Sequence, residues 1–193
     1  MEIILGPEGV FPVINPSFQP LFSDEVEDKR YYQVYGGRGS GKSFTVAIAT
    51  VQYTFSVHEH KVLYLRQTMS SSSDSTIADI KAAIAIMGLN DYFHEKGNTI
   101  INKVTGSTIS FKGIQASGNN TAKGKPLKVI LVYNPTSSEE SWIHKEWFID
   151  GEPIADRLAG KDSDTHYLHS TYLDNLDNLA ESTIKGFEKR KRT

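Results

Sequence analysis

The chain has 193 residues, of which 38% are hydrophobic and 23% are charged, and its formal net charge is −2. This balance predicts one globular domain with a buried core of ordinary size. No apolar run is long enough to cross a bilayer, and no basic residues precede the short apolar stretch after Met1, so we expect neither a transmembrane helix nor a signal peptide. The absence of cysteine excludes a disulfide framework and a thiolate metal site.

The charge distribution does not indicate a nucleic-acid-binding surface, because the net charge is slightly negative. Cations are concentrated near the C-terminus, at Lys185 and Lys189–Arg192. We interpret them as the solvated end of a helix, whose dipole favours cations there, in preference to a DNA-binding tail.

Strand and helix patterns alternate along the chain after an N-terminal arm. Residues 1–30 are rich in proline and acidic groups and are interpreted as an irregular arm, and residues 31–172 as the main domain. The domain begins with a strand at Tyr31–Tyr35, a glycine loop and a helix at Lys42–Ser56. The further predicted elements are, in chain order, a strand at Lys61–Arg66, a helix with Ile77, Ile80, Ile84 and Met87 on one face and a stop at Gly88, a hairpin of Thr99–Val104 with Ser107–Lys112, strands at Leu127–Tyr133 and His166–Tyr172, and a helix at Leu179–Arg192. This alternation predicts an α/β layer fold with a largely parallel sheet flanked by helices.

The glycine loop after the first strand has the pattern of a phosphate-binding P-loop. Residues Gly36–Ser43 read GGRGSGKS and fit G-x-x-x-x-G-K-[ST] at every fixed position. The glycines allow backbone N–H groups to converge on phosphate oxygens, and the following helix directs its N-terminus at the same anion. Because a strand precedes the loop and a helix follows it, we prefer this interpretation to a glycine-rich turn without a ligand.

The predicted ligand of the loop is ATP with Mg²⁺. Lys42 is expected to reach the β- and γ-phosphates, and the Ser43 hydroxyl is expected to ligate Mg²⁺. Arg38 either contacts the γ-phosphate or points to solvent or to a carboxylate. The residues predicted to bind the nucleotide are Gly36, Gly37, Arg38, Gly39, Ser40, Gly41, Lys42 and Ser43.

From the first strand through the P-loop, the chain resembles the ATPase domain of the terminase large subunits of tailed bacteriophages, which are the motors that package viral DNA. The resemblance runs in the same order over nearly the whole chain. It is carried by Asn15-Pro16 with Phe18, Tyr31–Ser43, Leu63–Gln67, Ser110–Ile114, Asn119–Lys123, Val132–Pro135 and Thr171–Asn175. It implies a P-loop NTPase fold of the RecA type (ASCE) with a largely parallel central sheet.

The resemblance also implies a function and partners. A terminase of this family couples ATP hydrolysis to the translocation of double-stranded DNA into a procapsid, in the cytoplasm of the infected host cell. Its subunits form a ring on the capsid portal, where one subunit completes the site of the next, and the terminase small subunit is a further expected partner. No membrane is expected among the partners.

Three residues outside the loop have candidate roles. Asn134 lies in the segment that resembles the family's coupling motif and is the expected γ-phosphate sensor, although its position alone fits a turn residue before Pro135 equally well. Arg66 ends a strand and has three possible roles: it contacts phosphate, it serves a neighbouring subunit as an arginine finger, or it forms a structural ion pair. Of these we favour the ion pair. Tyr31 lies where members of the family contact the adenine ring, so it is a candidate for stacking on adenine. The simpler interpretation is an aromatic side chain that is half-buried in a strand and has no role in binding.

One part of the family's pattern is missing from the chain. A second acidic motif, an apolar strand that ends in Asp-Glu, should lie between Lys123 and Lys128, where the sequence reads KGKPLK. A parallel crossover needs about a dozen residues, so this stretch cannot hold the strand and helix. Either the segment is deleted from the protein, or residues are missing from the sequence between Lys123 and Gly124. Trp147–Asp150 is apolar with a final carboxylate, but it follows the coupling strand and runs into a Gly-Glu-Pro turn, so we interpret it as a decoy.

Two further expectations concern the C-terminus and the alternatives to a packaging motor. Residues 173–193 are expected to form a helix and a linker towards a nuclease domain that this chain lacks.

The first alternative to a packaging motor is a different P-loop ATPase, either helicase-like or a small-molecule kinase, although no acceptor pocket or lid arginines of a kinase can be identified. A nucleotide-binding module that does not hydrolyse ATP is the second, and the missing acidic motif favours it.

Overall fold

The computed structural model describes residues 4–22, 31–56, 58–66, 73–113, 129–134, 148–149, 152–153 and 165–191. The chain divides into two compact units. The first unit comprises Met1–Pro12 and Ser43–Lys125, and the second comprises Val13–Lys42 and Pro126–Thr193. Within the described ranges, no helix is both long enough and apolar enough to cross a membrane.

The described segments contain both strands and helices, as the sequence predicts. In chain order the strands are β1 (Tyr31–Gly36), β2 (Lys61–Arg66), β3 (Phe93–Glu95), β4 (Thr99–Asn102), β5 (Thr108–Gly113), β6 (Val129–Tyr133), β7 (Phe148–Ile149), β8 (Glu152–Pro153) and β9 (Thr165–Ser170). The α-helices are α1 (Lys42–Ser56), α2 (Ser73–Ile86) and α3 (Glu181–Lys191), and short 3-10 segments lie at Pro16–Leu21, Asn90–Tyr92 and Tyr172–Asn178.

The second unit contains a parallel sheet of three strands in the order β6-β1-β9. Tyr35 near the end of β1 lies opposite Tyr133 of β6 and His169 of β9. Because all three strands are parallel and in register, their carboxyl ends lie at one edge of the sheet. The loop that follows β1 therefore leaves the sheet at the edge where ligands bind in open α/β folds.

The first unit contains a mixed sheet of four strands in the order β2-β5-β4-β3, in which β2 and β5 are parallel. Its core is formed by apolar side chains of both helices and the sheet, among them the fully buried Ile48 of α1, Ile80 of α2 and Ile109 of β5. The N-terminal residues are attached to α1, because the Gln52 side-chain amide accepts a hydrogen bond from the Ile4 backbone N–H (2.8 Å) and donates one to the Ile4 carbonyl (3.0 Å).

Most predicted elements are confirmed, although several of their boundaries differ by one or two residues, among them the first strand of the hairpin, which ends at Asn102 and not at Val104, and the last helix, which begins at Glu181 and not at Leu179. Helix α1 and strand β2 have the predicted bounds, and the predicted hairpin is formed by the antiparallel pair β4 and β5, which β3 extends. The last strand ends at Ser170 and not at Tyr172. The reason is a capping box, in which the Asp174 carboxylate accepts a hydrogen bond from the Thr171 backbone N–H (2.8 Å) and Thr171 caps the next 3-10 segment.

Candidate nucleotide-binding site

The predicted P-loop joins the central strand of the second unit to a helix. Strand β1 ends at Gly36, and α1 begins at Lys42. Asn134 directly follows β6 and Thr171 directly follows β9, so both lie at the same edge of the sheet as the loop. This is the strand–loop–helix setting that the P-loop pattern requires.

Two glycines of the loop are required by its geometry. Gly36 has a φ of +143°, and a Cβ atom there would stand 1.7 Å from the Ser170 carbonyl oxygen of β9. Gly39 has a φ of +81°, and a Cβ atom there would stand 2.7 Å from the Phe187 ring of α3. At Gly36 other side chains are excluded by a fixed backbone neighbour, whereas at Gly39 they would strain the backbone and displace the Phe187 ring.

Lys42 is held inside the loop. Its side chain is only 7% exposed, and its ammonium group donates hydrogen bonds to the carbonyls of Gly36 (2.9 Å) and Gly37 (2.7 Å) and to the Ser40 hydroxyl (3.0 Å). Burial lowers the pKa of Lys42 from its usual value. The loop thus places one poorly solvated cation at the start of a helix, where the helix dipole also favours an anion.

The residues present fit a Mg²⁺ ion that is held jointly with a nucleotide. Ser43, the second residue of α1, is exposed. No group of three or more His, Cys, Asp or Glu side chains in the described ranges could form a metal cage. Mg²⁺ usually binds through few protein ligands together with substrate phosphates and water, and one exposed hydroxyl beside a phosphate loop suits that mode.

The other predicted site residues lie in different places. Arg38 is exposed in the loop, and Asn134 is exposed at the carboxyl end of β6. Tyr31 is half-buried at the start of β1, roughly 16 Å along the strand from Gly36. Arg66 is the last residue of β2, in the first unit. The sensor, finger and adenine roles of these residues stay predictions.

Sequence reasoning missed two asparagines that contact the loop from outside. The Asn15 side-chain amide donates a hydrogen bond to the Ser40 carbonyl (3.0 Å), and the Asn175 amide donates one to the Gly39 carbonyl (2.8 Å). Both residues lie in stretches that resemble the terminase pattern, but no local pattern indicates a contact between residues so distant in the chain.

The segment in which the acidic motif should lie falls outside the described residues, as do Glu139, Glu140 and Asp150, three carboxylates that could replace it. Phe148–Ile149, part of the decoy, forms β7 and pairs with β8 in a separate antiparallel sheet. It therefore does not form the parallel strand on which the family's acidic motif stands.

The chain is similar to known proteins along most of its length. A family model described as phage terminase large subunit matches residues 28–123 and 119–193. The solved structure of a large terminase from a thermophilic bacteriophage is similar, with a TM-score of 0.63 and 15% identity over 92% of this chain and 50% of that chain. The same large terminase in complex with ADP has a TM-score of 0.65 and 14% identity, again over 92% of this chain and 50% of that chain. Comparison with curated proteins gives no match.

The structural likeness confirms the predicted α/β P-loop fold of the RecA type. The chain spans about half the length of these similar structures.

Proposed function

Because the chain belongs to the phage terminase large subunit family, we propose that it binds ATP with Mg²⁺ through Gly36–Ser43 as the motor part of a DNA-packaging terminase. The observation that carries the proposal is the buried Lys42 ammonium in a glycine loop at the carboxyl end of the central strand. The ADP complex of the structurally similar terminase from a thermophilic bacteriophage supports it. Equilibrium titration with ATP, with and without Mg²⁺, tests the binding directly.

Each residue of the loop has a role in this proposal. Lys42 exchanges its hydrogen bonds to loop carbonyls for bonds to the β- and γ-phosphates, which are stronger because both partners are charged. The loop N–H groups surround the phosphate oxygens, and the Ser43 hydroxyl ligates Mg²⁺. The metal ion, when bound, neutralises charge that develops on the phosphate oxygens. In this proposal Asn134, which follows β6 at the same sheet edge, couples the γ-phosphate to movement.

A second candidate function is nucleotide binding without turnover. Hydrolysis requires a group that positions the attacking water and a carboxylate that holds the metal ion, and the loop provides neither. The sequence between β5 and β6 lacks the acidic motif in which the family carries these groups. The two matched segments of the family model, residues 28–123 and 119–193, overlap beside this stretch.

Single-turnover hydrolysis separates the two functions once the mass of the protein is known. At an intact mass of 21.5 kDa, we expect ATP and Mg²⁺ to bind but to be hydrolysed negligibly, because the base and the metal-holding carboxylate are absent. A mass several kDa greater would mean that the protein has further residues, and if peptide mapping finds them after Lys123, slow hydrolysis is expected, because a monomer lacks an arginine from a neighbour. Rapid turnover at 21.5 kDa would contradict this reasoning and direct the search for a base to Glu139, Glu140 and Asp150.

We further propose that the bound ATP drives movement of double-stranded DNA, in the host-cell cytoplasm, by a ring of subunits on a capsid portal with the terminase small subunit. The family membership supports this proposal. In such an assembly, most DNA affinity comes from several subunits that act together and not from one chain.

The isolated chain should therefore bind double-stranded DNA weakly and without sequence preference. Its net charge of −2 gives little counterion release. We expect dissociation constants on the order of 10⁻⁴–10⁻⁶ M, or weaker, at physiological salt, equal for unrelated sequences. Fluorescence anisotropy with two unrelated duplexes over a range of salt concentrations measures this, and tight binding to one duplex alone would contradict it.

A further inference from the structure

The backbone carbonyls of a phosphate loop need partners outside the anion site. When consecutive N–H groups converge on an anion, the carbonyls of the same peptides point away from it, and each buried carbonyl needs a donor. In this chain the carbonyl of Gly39 accepts from Asn175 (2.8 Å), and that of Ser40 accepts from Asn15 (3.0 Å). The two carbonyls belong to consecutive residues at the centre of the loop.

A third asparagine connects these two contacts. The Asn178 side-chain amide donates hydrogen bonds to the Asn175 side-chain oxygen (2.9 Å) and to the Val13 carbonyl (3.1 Å), two residues before Asn15. The Asn15 side-chain oxygen in turn accepts from the Ser17 backbone N–H (2.9 Å). Because the oxygens of Asn15 and Asn175 are both occupied by donors, their NH₂ groups are directed at the loop carbonyls.

The local structure after β9 places Asn175. Its side chain is only 7% exposed, and its backbone is non-helical (φ −131°, ψ 22°) in the middle of the 3-10 segment. The capping box of Thr171 and Asp174 begins that segment directly after the sheet. Phe187 of α3 covers Gly39 on a neighbouring side, so the loop is supported by a hydrogen bond and by an aromatic ring.

We propose that Asn175, with Asn15, is a positioning residue of the P-loop. The two amides hold the Gly39 and Ser40 carbonyls outward, so that the loop N–H groups are already arranged to receive phosphate oxygens. Such preorganisation increases affinity, because the loop is already ordered and binding does not have to supply the free energy of ordering it. This inference rests on the proposed nucleotide binding, and it assigns to the segment after the sheet a function that the P-loop pattern does not contain.

The variant Asn175→Asp tests the proposal with almost no change of volume. A carboxylate still accepts the hydrogen bond from Asn178, but it cannot donate to the Gly39 carbonyl. We expect the affinity for ADP with Mg²⁺ to fall about tenfold at about pH 8. Burial and the facing Gly39 carbonyl oxygen should raise the pKa of the introduced carboxyl group above its usual value. The deficit relative to the unaltered protein should therefore shrink as the pH is lowered from about 8 to about 4, because a protonated carboxyl group donates again.

Two further variants separate positioning from general damage. Asn175→Ala should show a similar loss of affinity without recovery at low pH, whereas Asn98→Asp, at an exposed position of the first unit, should bind as the unaltered protein does. Urea unfolding of each variant shows whether stability changes instead. A purely structural role of Asn175 would lower the free energy of unfolding and leave the affinity of the folded protein unchanged, and that result would overturn the inference.

Amide hydrogen exchange over residues 36–42 provides a measurement that does not require nucleotide. Exchange in this loop should be about tenfold faster in Asn175→Asp than in the unaltered protein. The reason is that loss of the hydrogen bond to the Gly39 carbonyl allows the loop to open more often. If the unaltered chain binds no nucleotide, the proposed function is wrong. The rate of amide hydrogen exchange in the loop then tests by itself whether Asn175 positions the loop. Unchanged exchange would overturn that role whatever the affinities are.

Discussion

Replacing Lys42 with alanine should weaken ATP binding by at least about 100-fold, or roughly 3 kcal/mol. The ammonium group lies in the loop within hydrogen-bonding distance of the Gly36 and Gly37 carbonyls, and it is the loop's buried cation. Alanine removes a charge-assisted bond to phosphate from a poorly solvated site, where such bonds are strong. Isothermal titration with ATP and Mg²⁺ measures the loss.

Lys96→Ala is the matched control for this variant. Lys96 is exposed in a turn of the first unit, so its replacement removes the same side chain and the same charge outside the phosphate loop. Both variants should keep the circular dichroism spectrum of the unaltered protein. A folded Lys42→Ala protein with unchanged ATP affinity would refute the P-loop assignment.

Replacing Gly36 with alanine should destabilise the second unit by at least about 3 kcal/mol, and the variant is expected to fold poorly. The added methyl group would stand 1.7 Å from the Ser170 carbonyl oxygen, and both atoms are fixed by the pairing of β1 with β9. The strands can avoid this contact only by breaking hydrogen bonds of the central sheet. Urea-induced unfolding measures the loss, together with the yield of folded protein.

Gly97→Ala separates steric contact from backbone strain. Gly97 also has a positive φ (+59°), but a Cβ atom there would meet nothing within 4 Å. Its replacement should cost only about 1 kcal/mol, which is the strain of a left-handed residue. Equal losses for the two variants would show that the close approach of Ser170 has no energetic weight.

The P-loop and most secondary structure can be predicted from the sequence because their signals are local. Helix α1 and strand β2 have the predicted bounds, since apolar periodicity and the flanking turn residues are read within a few positions. Strand β9, by contrast, ends at Ser170, before the predicted end at Tyr172. Thr171 and Tyr172 favour a strand by composition, but the Asp174 carboxylate binds the Thr171 N–H and starts a 3-10 turn instead.

The glycine loop, with Lys42 near its end and a helix after it, can be predicted from the sequence alone, because eight adjacent residues, GGRGSGKS, carry the whole P-loop pattern. Which residues hold that loop in shape was decided only by the tertiary structure. Asn175 reaches the Gly39 carbonyl across 136 positions of sequence, and Asn15 reaches Ser40 across 25. A side-chain amide has no preferred partner of its own. It becomes a support for the loop only when the sheet brings the segments before β1 and after β9 to the glycines.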